Sequence, residues 1–348
     1  MGVEIRVEGL TKSFGRQVIW QDVSLTLPAG EISVLLGPSG TGKSVFLKSL
    51  VGLLKPERGS IWIEGKDVTR LREHDLYEVR KLFGVLFQDG ALFGSMNLYD
   101  NIAFPLREHT KKSEGQIRRI VDEKMEMVGL VGAESKLPGE ISGGMRKRAG
   151  LARALVLDPE IILFDEPDSG LDPVRVAYLN QLIVDLNAQI EATFLIVTHD
   201  ISSARQVPDN IGLLFRRNLV MFGQREQLLA SGEPVVRQFL NGRMQGPIGM
   251  AEEKDAAQVE AELAELRAAG VEQTDEDAAV TTPRLLPGEG IDRPARWDEI
   301  ARIEEERFGA AAGRPDAGVL ATAGGVASAS GAHHYGGNGS SPSGRPGA

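Results

Sequence analysis

Two rhythms of apolar and polar positions alternate over the first 240 or so residues. Short, mostly apolar runs recur at Glu31–Leu36, Ser60–Glu64, Ile161–Phe164, Thr193–Val197 and Ile211–Phe215, each of a length and content that predicts a buried strand. Met1–Arg6 opens directly into an alternating strand pattern rather than a leader peptide. Between these runs lie amphipathic segments, among them Val45–Val51 with helical spacing. Strands alternating with helices predict an α/β architecture. From about residue 95 to 158 comparable β-rich runs are absent, which predicts helices, with a charged stretch near Arg107–Gln116, inserted between two sheet segments.

The pattern changes beyond Gly249, where Ala and Glu dominate. One helix is expected near Glu252–Ala269, edged by Leu263, Leu266 and Val271, and another near Arg296–Phe308 after a Thr/Pro/Gly-rich break. The last forty residues are Gly, Ala, Ser and Pro with little to bury, the composition of a disordered tail. Three regions are therefore expected: a motif-bearing domain over 1–245 with its helical part at about 90–158, an acidic, partly helical extension over 246–310, and a disordered tail over 311–348.

Composition narrows the function classes. The 348 residues are 42% hydrophobic and 25% charged, enough for a sizeable core. There is no cysteine, which removes disulfides, thiolate metal sites and cysteine nucleophiles. No apolar run reaches bilayer-spanning length, so a membrane role would come through a partner. The net charge is −10, of which residues 251–348 carry −9. A near-neutral body argues against nucleic acid as a partner, because phosphate-backbone binding needs a basic surface.

Chemistry enters at Gly37-Pro38-Ser39-Gly40-Thr41-Gly42-Lys43-Ser44, a complete P-loop standing between a predicted strand and a predicted helix that starts near Val45. Its glycines let backbone N–H groups converge on a phosphate at a helix N-terminus. Lys43 is placed to reach the β- and γ-phosphates, and the Ser44 hydroxyl to ligate Mg²⁺. Farther on, Asp165 and Glu166 follow an apolar strand, the arrangement in which Asp165 orients Mg²⁺ and Glu166 polarises an attacking water. Paired acids alone are more often a solvated strand end. Ile141-Ser142-Gly143-Gly144-Met145 opens an amphipathic helix, so Ser142 and the N–H groups of Gly143 and Gly144 could cap a γ-phosphate, or Ser142 could be a simple N-cap.

P-loop, Gln88, the Ser-Gly-Gly element, the Asp-Glu pair, Ser169-Gly170-Leu171-Asp172 and His199 stand in the order found in ATP-binding cassette (ABC) ATPases, and the chain resembles that family over residues 1 to about 249. The resemblance implies an ABC-type P-loop NTPase fold: a RecA-like core, an antiparallel β subdomain and a helical subdomain, here with a C-terminal extension. It implies Mg²⁺-dependent ATP hydrolysis with ATP and Mg²⁺ as cofactors. Phe14 then matches the aromatic that stacks on adenine, and Gln88 the residue that touches Mg²⁺ and the attacking water and senses a transmembrane partner. His199, counted two strands after the P-loop, matches the switch histidine at the γ-phosphate, and Asp172 and the signature serine and glycines join the nucleotide site. One P-loop and one signature per chain imply a homodimer that sandwiches two nucleotides, driven apart when hydrolysis removes the bridging charge.

Two segments, Phe87–Phe93 leading to Asn101–Thr110 and Val236–Gly242, resemble the Mla/Mce lipid-transport ATPases, as does Met145 where the usual signature has glutamine. Ser169-Gly170-Leu171-Asp172 and the acidic tail favour the actinobacterial branch of Mce lipid importers. That branch implies two permease subunits, Mce-domain substrate-binding proteins reached through the permease, and a position on the cytoplasmic face of the cell membrane. The competing expectation is a soluble ABC ATPase acting on DNA or ribosomes without a permease. Its marks would be long coiled coils, fused paired cassettes or a basic face, and the sequence displays none of them. Asp168, where many ABC proteins have threonine, adds a third carboxylate beside the expected metal region, and the pattern assigns it no purpose.

Overall fold

The computed structural model describes residues 2–244 and 246–249. The expected acidic helices and the Gly/Ala-rich tail lie outside these residues. Ten strands and nine helices occur among them, and alternating burial along the strands explains how they layer.

The chain opens with a long hairpin, β1 (Ile5–Phe14) and β2 (Gln17–Leu27), in which Ile5, Val7, Leu10, Trp20, Val23, Leu25 and Leu27 are buried, the alternation stretching by a residue at places such as Val7–Leu10, where the pairing shifts register. β3 (Ile32–Leu36) is buried at every position and feeds the P-loop and α1 (Lys43–Leu50). β4 (Arg58–Ile63) and the two-residue β5 (Lys66–Asp67) return to the hairpin, giving an antiparallel sheet ordered β2-β1-β4-β5. After α2 (Glu73–Arg80) and β6 (Phe83–Leu86) the chain runs through three helices: α3 (Leu98–His109), α4 (Glu114–Met127) and α5 (Gly143–Leu155). It then re-enters the sheet as β7 (Ile161–Asp165), α6 (Pro173–Ile190), β8 (Thr193–Thr198), α7 (Ile201–Gln206), β9 (Asn210–Phe215) and β10 (Asn218–Gln224), and closes with α8 (Arg225–Leu229) and α9 (Pro234–Leu240). The second sheet is ordered β10-β9-β3-β8-β7-β6, parallel except for the β9–β10 pair.

The central strands read as continuous apolar runs because both faces are covered. Their alternation divides two cores. Ile32, Val34 and Leu36 of β3, Ile162 and Phe164 of β7, and Phe194 and Ile196 of β8 pack with the helices, including Ile102 of α3 and Val121 of α4. Leu35, Leu163, Leu195 and Val197 face the other way, against Phe46 of α1 and the antiparallel sheet through Ile5, Trp20 and Ile61. Parallel pairing of Ile32 with Phe194 and of Asp165 with Val197 lines up the C-terminal ends of β3, β7 and β8. Ligand sites of open α/β sheets form at such ends.

Candidate functional site

The loop after β3 turns into α1 through Gly40 (φ +85°) and Gly42 (φ +86°), conformations open to glycine and strained for other residues. Gly42 is the N-cap of α1 and contributes no side-chain cap, and the first turn carries no acidic residue. The first N–H groups of the helix and its positive dipole end are therefore left for an external anion. A Cβ at Gly40 would meet nothing within 4 Å, so the rim of the loop is open. A Cβ at Gly42 would strike Ile19 Cγ2 at 2.2 Å and Trp20 Nε1 at 2.8 Å. Trp20, fully buried on β2, also donates from Nε1 to the Gly42 carbonyl at 3.2 Å. The antiparallel sheet thus props up the phosphate loop from behind, a role for Trp20 that the sequence pattern did not reveal.

Lys43 curls back over the loop, donating from Nζ to the carbonyls of Gly37 (2.8 Å) and Pro38 (3.0 Å). Burial lowers its pKa, and the carboxylates of Glu166, Asp165 and Asp168 oppose that shift. Thr41 Oγ1 donates to the Pro38 carbonyl at 2.9 Å, tightening the turn. The Ser44 hydroxyl donates to Asp165 Oδ1 at 2.7 Å, joining the first helical turn to the end of β7. Burial raises the Asp165 pKa, while the Ser44 hydrogen bond works against that rise and the neighbouring Glu166 adds to it. Phosphate loop, lysine, hydroxyl and carboxylate thus converge. A hydroxyl and a carboxylate are hard oxygen donors, and Mg²⁺ with nucleotide commonly takes one or two such protein ligands, the phosphates and water. The residues present fit both ATP and Mg²⁺.

Glu166 sits in the left-handed region (φ +47°), its N–H held by the Val197 carbonyl at 2.9 Å. This bend turns its carboxylate toward His199, whose Nδ1 lies 3.4 Å from Glu166 Oε1. β8 follows β3 by five strands along the chain, not two, and is its immediate neighbour in the sheet, which brings His199 to the site. Gln88, after β6, donates from Nε2 to Ser169 Oγ at 3.2 Å and so reaches the loop after β7.

The five remaining expected members, Ser142, Gly143, Gly144, Asp172 and Phe14, make contacts of their own. Ser142 is the N-cap of α5, accepting from the Met145 N–H at 3.3 Å, and the groups nearest a Cβ on Gly144 would be Leu171 and Arg175, not the phosphate loop. A cavity of about 550 Å³ opens there, lined by Ser142, Gly144, Lys147, Arg175 and Tyr178 among others. Asp172 is the N-cap of α6, accepting from the Arg175 N–H at 3.1 Å and pairing with Arg175 Nε at 3.2 Å. Phe14 stands half-exposed at the tip of the β1–β2 hairpin, with Lys12 Nζ 5.1 Å from its ring centre.

Two basic residues of α5 tie this helix to the site loops. Lys147, 4% exposed, donates to the carbonyls of Glu166 (3.3 Å), Pro167 (2.7 Å) and Ser169 (2.5 Å). Burial depresses its pKa against the pull of Asp168, Asp89 and Glu166. Arg153 donates to the carbonyls of Ala91 and Gly90, both at 2.9 Å, gripping the loop that begins at Gln88. Gly90 and Gly150 permit this approach: a Cβ on Gly150 would lie 2.9 Å from the Gly90 Cα. Neither lysine nor arginine forms part of a short motif, and only their positions one and three turns into the signature helix could have marked them.

Residues 20–169 match the ABC transporter family model. The chain is 72% identical over 306 residues, 88% of its length and 85% of the relative's, to a Mycobacterium tuberculosis protein described as a probable ribonucleotide transport ATP-binding protein, mkl. It is 41% identical over 246 residues to the Escherichia coli intermembrane phospholipid transport system ATP-binding protein MlaF, covering 71% of this chain and 91% of that one. Among solved structures it resembles cbiO1 of Clostridium perfringens, part of the ABC transporter complex cbiONQ, with a TM-score of 0.61 and 28% identity over 69% of this chain and 95% of the other. It also resembles the dimeric bacterial cassette MJ0796, with a TM-score of 0.59 and 29% identity over 64% of this chain and 98% of the other. The resemblance read from the sequence is borne out on both levels, the cassette and its Mla/Mkl branch. With a phosphate loop after β3 faced by paired acids at the end of β7, two strands over in the same sheet, and relatives this similar over nearly its whole length, the chain belongs to the ABC transporter family as an ATP-binding subunit.

Proposed function

We propose that this chain is the Mg²⁺-dependent, ATP-hydrolysing subunit of a Mce-type importer of lipids, such as fatty acids or sterols. The observation that carries the catalytic part is the convergence of Lys43, Ser44, Asp165, Glu166 and His199 at three adjacent strand ends. The phosphate loop and Lys43 hold the triphosphate, with Val45 in the first turn behind it, and Phe14 receives the adenine. Ser44 and Asp165, with Gln88 after β6, would hold Mg²⁺, which when bound would neutralise phosphate charge. Glu166 accepts the proton of the attacking water, and His199 steadies charge on the γ-phosphate.

At the start of α5 the neighbours of Gly144 are Leu171 and Arg175 and not the phosphate loop of its own chain, which supports a homodimer in which Ser142, Gly143, Gly144 and Asp172 complete the partner's nucleotide site. Among the described residues no helix is long and apolar enough to cross a membrane, so the proposed position is peripheral, at the cytoplasmic face, through two permease subunits. The motif-bearing domain is taken to end near residue 245, with the acidic extension beyond it.

The lipid cargo rests on similarity to MlaF, whose description names phospholipid transport. The ribonucleotide transport in the description of mkl supports a second cargo. Purification of the tagged chain from gently solubilised membranes, followed by mass spectrometry of co-purifying proteins and small molecules, separates the two. A permease pair with Mce-domain proteins and bound lipid supports the proposal. A permease carrying nucleotide favours the second cargo, and recovery of ribosomal or DNA-associated proteins alone overturns the transport reading.

A further inference from the structure

Asp168 lies inside the site loops with no part in the proposed chemistry. It is 6% exposed, close to Asp165 and Glu166 in sequence, and burial pushes its pKa up despite the hydrogen bond it accepts. Three carboxylates within four residues weaken a fold by mutual repulsion and desolvation, and sites that break such a local rule are commonly functional.

Its contacts point to one role. Asp168 Oδ2 accepts from Thr198 Oγ1 at 2.5 Å, and Thr198 is fully buried at the end of β8. A hydroxyl has one proton, so donating it to Asp168 leaves the Thr198 lone pairs to accept. They accept from the Asp200 N–H at 2.9 Å. Asp200 in turn caps α7, accepting from the Ser203 N–H at 2.6 Å. One residue before Thr198, the Val197 carbonyl accepts from the Glu166 N–H at 2.9 Å. The two residues before His199 are therefore bonded to the loop that carries Glu166, and Asp200 after it is tied to that loop through the Thr198 hydroxyl, while the imidazole itself is about half exposed and lies against the Glu166 carboxylate.

We propose that Asp168 is a positioning residue: through Thr198 it fixes the backbone that presents His199 to Glu166 and to the nucleotide's terminal phosphate. Asp168, Ser169, His199 and Asp200 share the wall of one cavity of about 430 Å³, so a shift of the 198–200 backbone moves the imidazole within that space. The inference rests on the reading of His199 as a residue of the reacting site.

Steady-state ATPase measurements on the full chain, compared with Asp168→Ala, Asp168→Asn, His199→Ala and the Asp168→Ala/His199→Ala pair, test it. Asp168→Ala is expected to lower kcat on the order of tenfold with the KM for ATP within about twofold, the pattern of lost orientation rather than lost binding. Asp168→Asn keeps an oxygen that accepts from Thr198 and should return kcat to within about threefold of the parent. In the His199→Ala background Asp168→Ala should cost less than about twofold further, because the two act as one unit. Thr198→Val removes the hydroxyl from the other end and should reproduce the kcat loss. Amide exchange over residues 198–201 should quicken in Asp168→Ala.

Equal fold losses in both backgrounds would overturn the positioning role, as would unchanged exchange over 198–201. Full turnover in His199→Ala would overturn the reading of His199 instead, and the exchange comparison then decides by itself whether the tether exists.

Discussion

The phosphate-loop end of β3 and the start of α5 carry the two glycine-rich elements of this chain, and they are built in different ways. The first is fixed from behind: Trp20 holds the Gly42 carbonyl, Leu36 and Leu214 are buried beneath, and Ser44 is bonded to the end of β7. The second is held at a distance by long cationic side chains, Lys147 and Arg153, gripping carbonyls of two loops. Strand-backed geometry stays put without a ligand. Side chain-to-carbonyl bonds from a charged donor, each worth about 1.5–3 kcal/mol net, can be exchanged for others of the same kind when the loops move. The comparison suggests a rigid half that binds and a re-orientable half that reports, with the loops at Gln88 and Glu166 as the junction.

The junction and the rigid half should give the largest effects. Glu166→Gln keeps the shape and removes the base, so turnover should fall about 10²- to 10⁴-fold with ATP binding retained. Phosphate release and fluorescent-nucleotide binding check this together; near-normal turnover would contradict the assignment. Gly42→Ala adds a Cβ where Ile19 and Trp20 already stand, at φ +86°. A loss of about 2–3 kcal/mol in unfolding free energy, with weakened ATP affinity, is expected. Tight binding by this variant would mean that Trp20 and β2 do not shape the loop.

What the sequence displayed and what it concealed divide along the same line. Lys43, Ser44 and Asp165 were legible because local strand–loop–helix chemistry fixes their environment, and the strand runs at 161–164 and 193–197 are seen in β7 and β8. Trp20, Lys147 and Arg153 were not, since their contacts join residues 22, 20 and 63 positions apart and no short pattern encodes them. The left-handed bend at Glu166 was equally hidden, because glutamate gives no hint of positive φ.

The signature half should respond less. Lys147→Met keeps the aliphatic stem and abandons three carbonyls, which should lower stability by about 1–2 kcal/mol and reduce turnover more than ATP affinity. If affinity falls as much as turnover, α5 would belong to the rigid half. A smaller effect of opposite sign is expected at Asp165. Its raised pKa means that the native nucleotide-free chain holds that proton more tightly than the unfolded chain. Its favourable contribution is complete below the ordinary aspartate range and is lost as pH rises through the raised value, so at neutral pH the carboxylate weakens the fold. Asp165→Asn should abolish turnover yet stabilise the nucleotide-free chain at neutral pH by less than about 1 kcal/mol, solvent screening of the half-buried group limiting the gain. Unfolding scans at neutral and mildly acidic pH should show the gain shrinking as pH falls.

The smallest effect belongs to the outer face of the helices. Arg107 on α3 bonds Asp100 at 2.8 Å and Glu114 of α4 at 3.0 Å through both ends of its guanidinium, and those bonds, Glu114 first, raise its pKa. All three side chains are at least one-third exposed, so water and salt compete for each charge. Arg107→Ala should shift Tm by less than about 2 °C, and 0.5 M salt should erase most of the difference. Turnover should be unchanged, because α3 is already fastened below by Ile102 and Leu106 in the core and by Asn101, which bonds the carbonyls of Phe93, Met96 and Asn97. A salt-resistant loss of several degrees would mean that the Arg107 cluster sets the angle between α3 and α4.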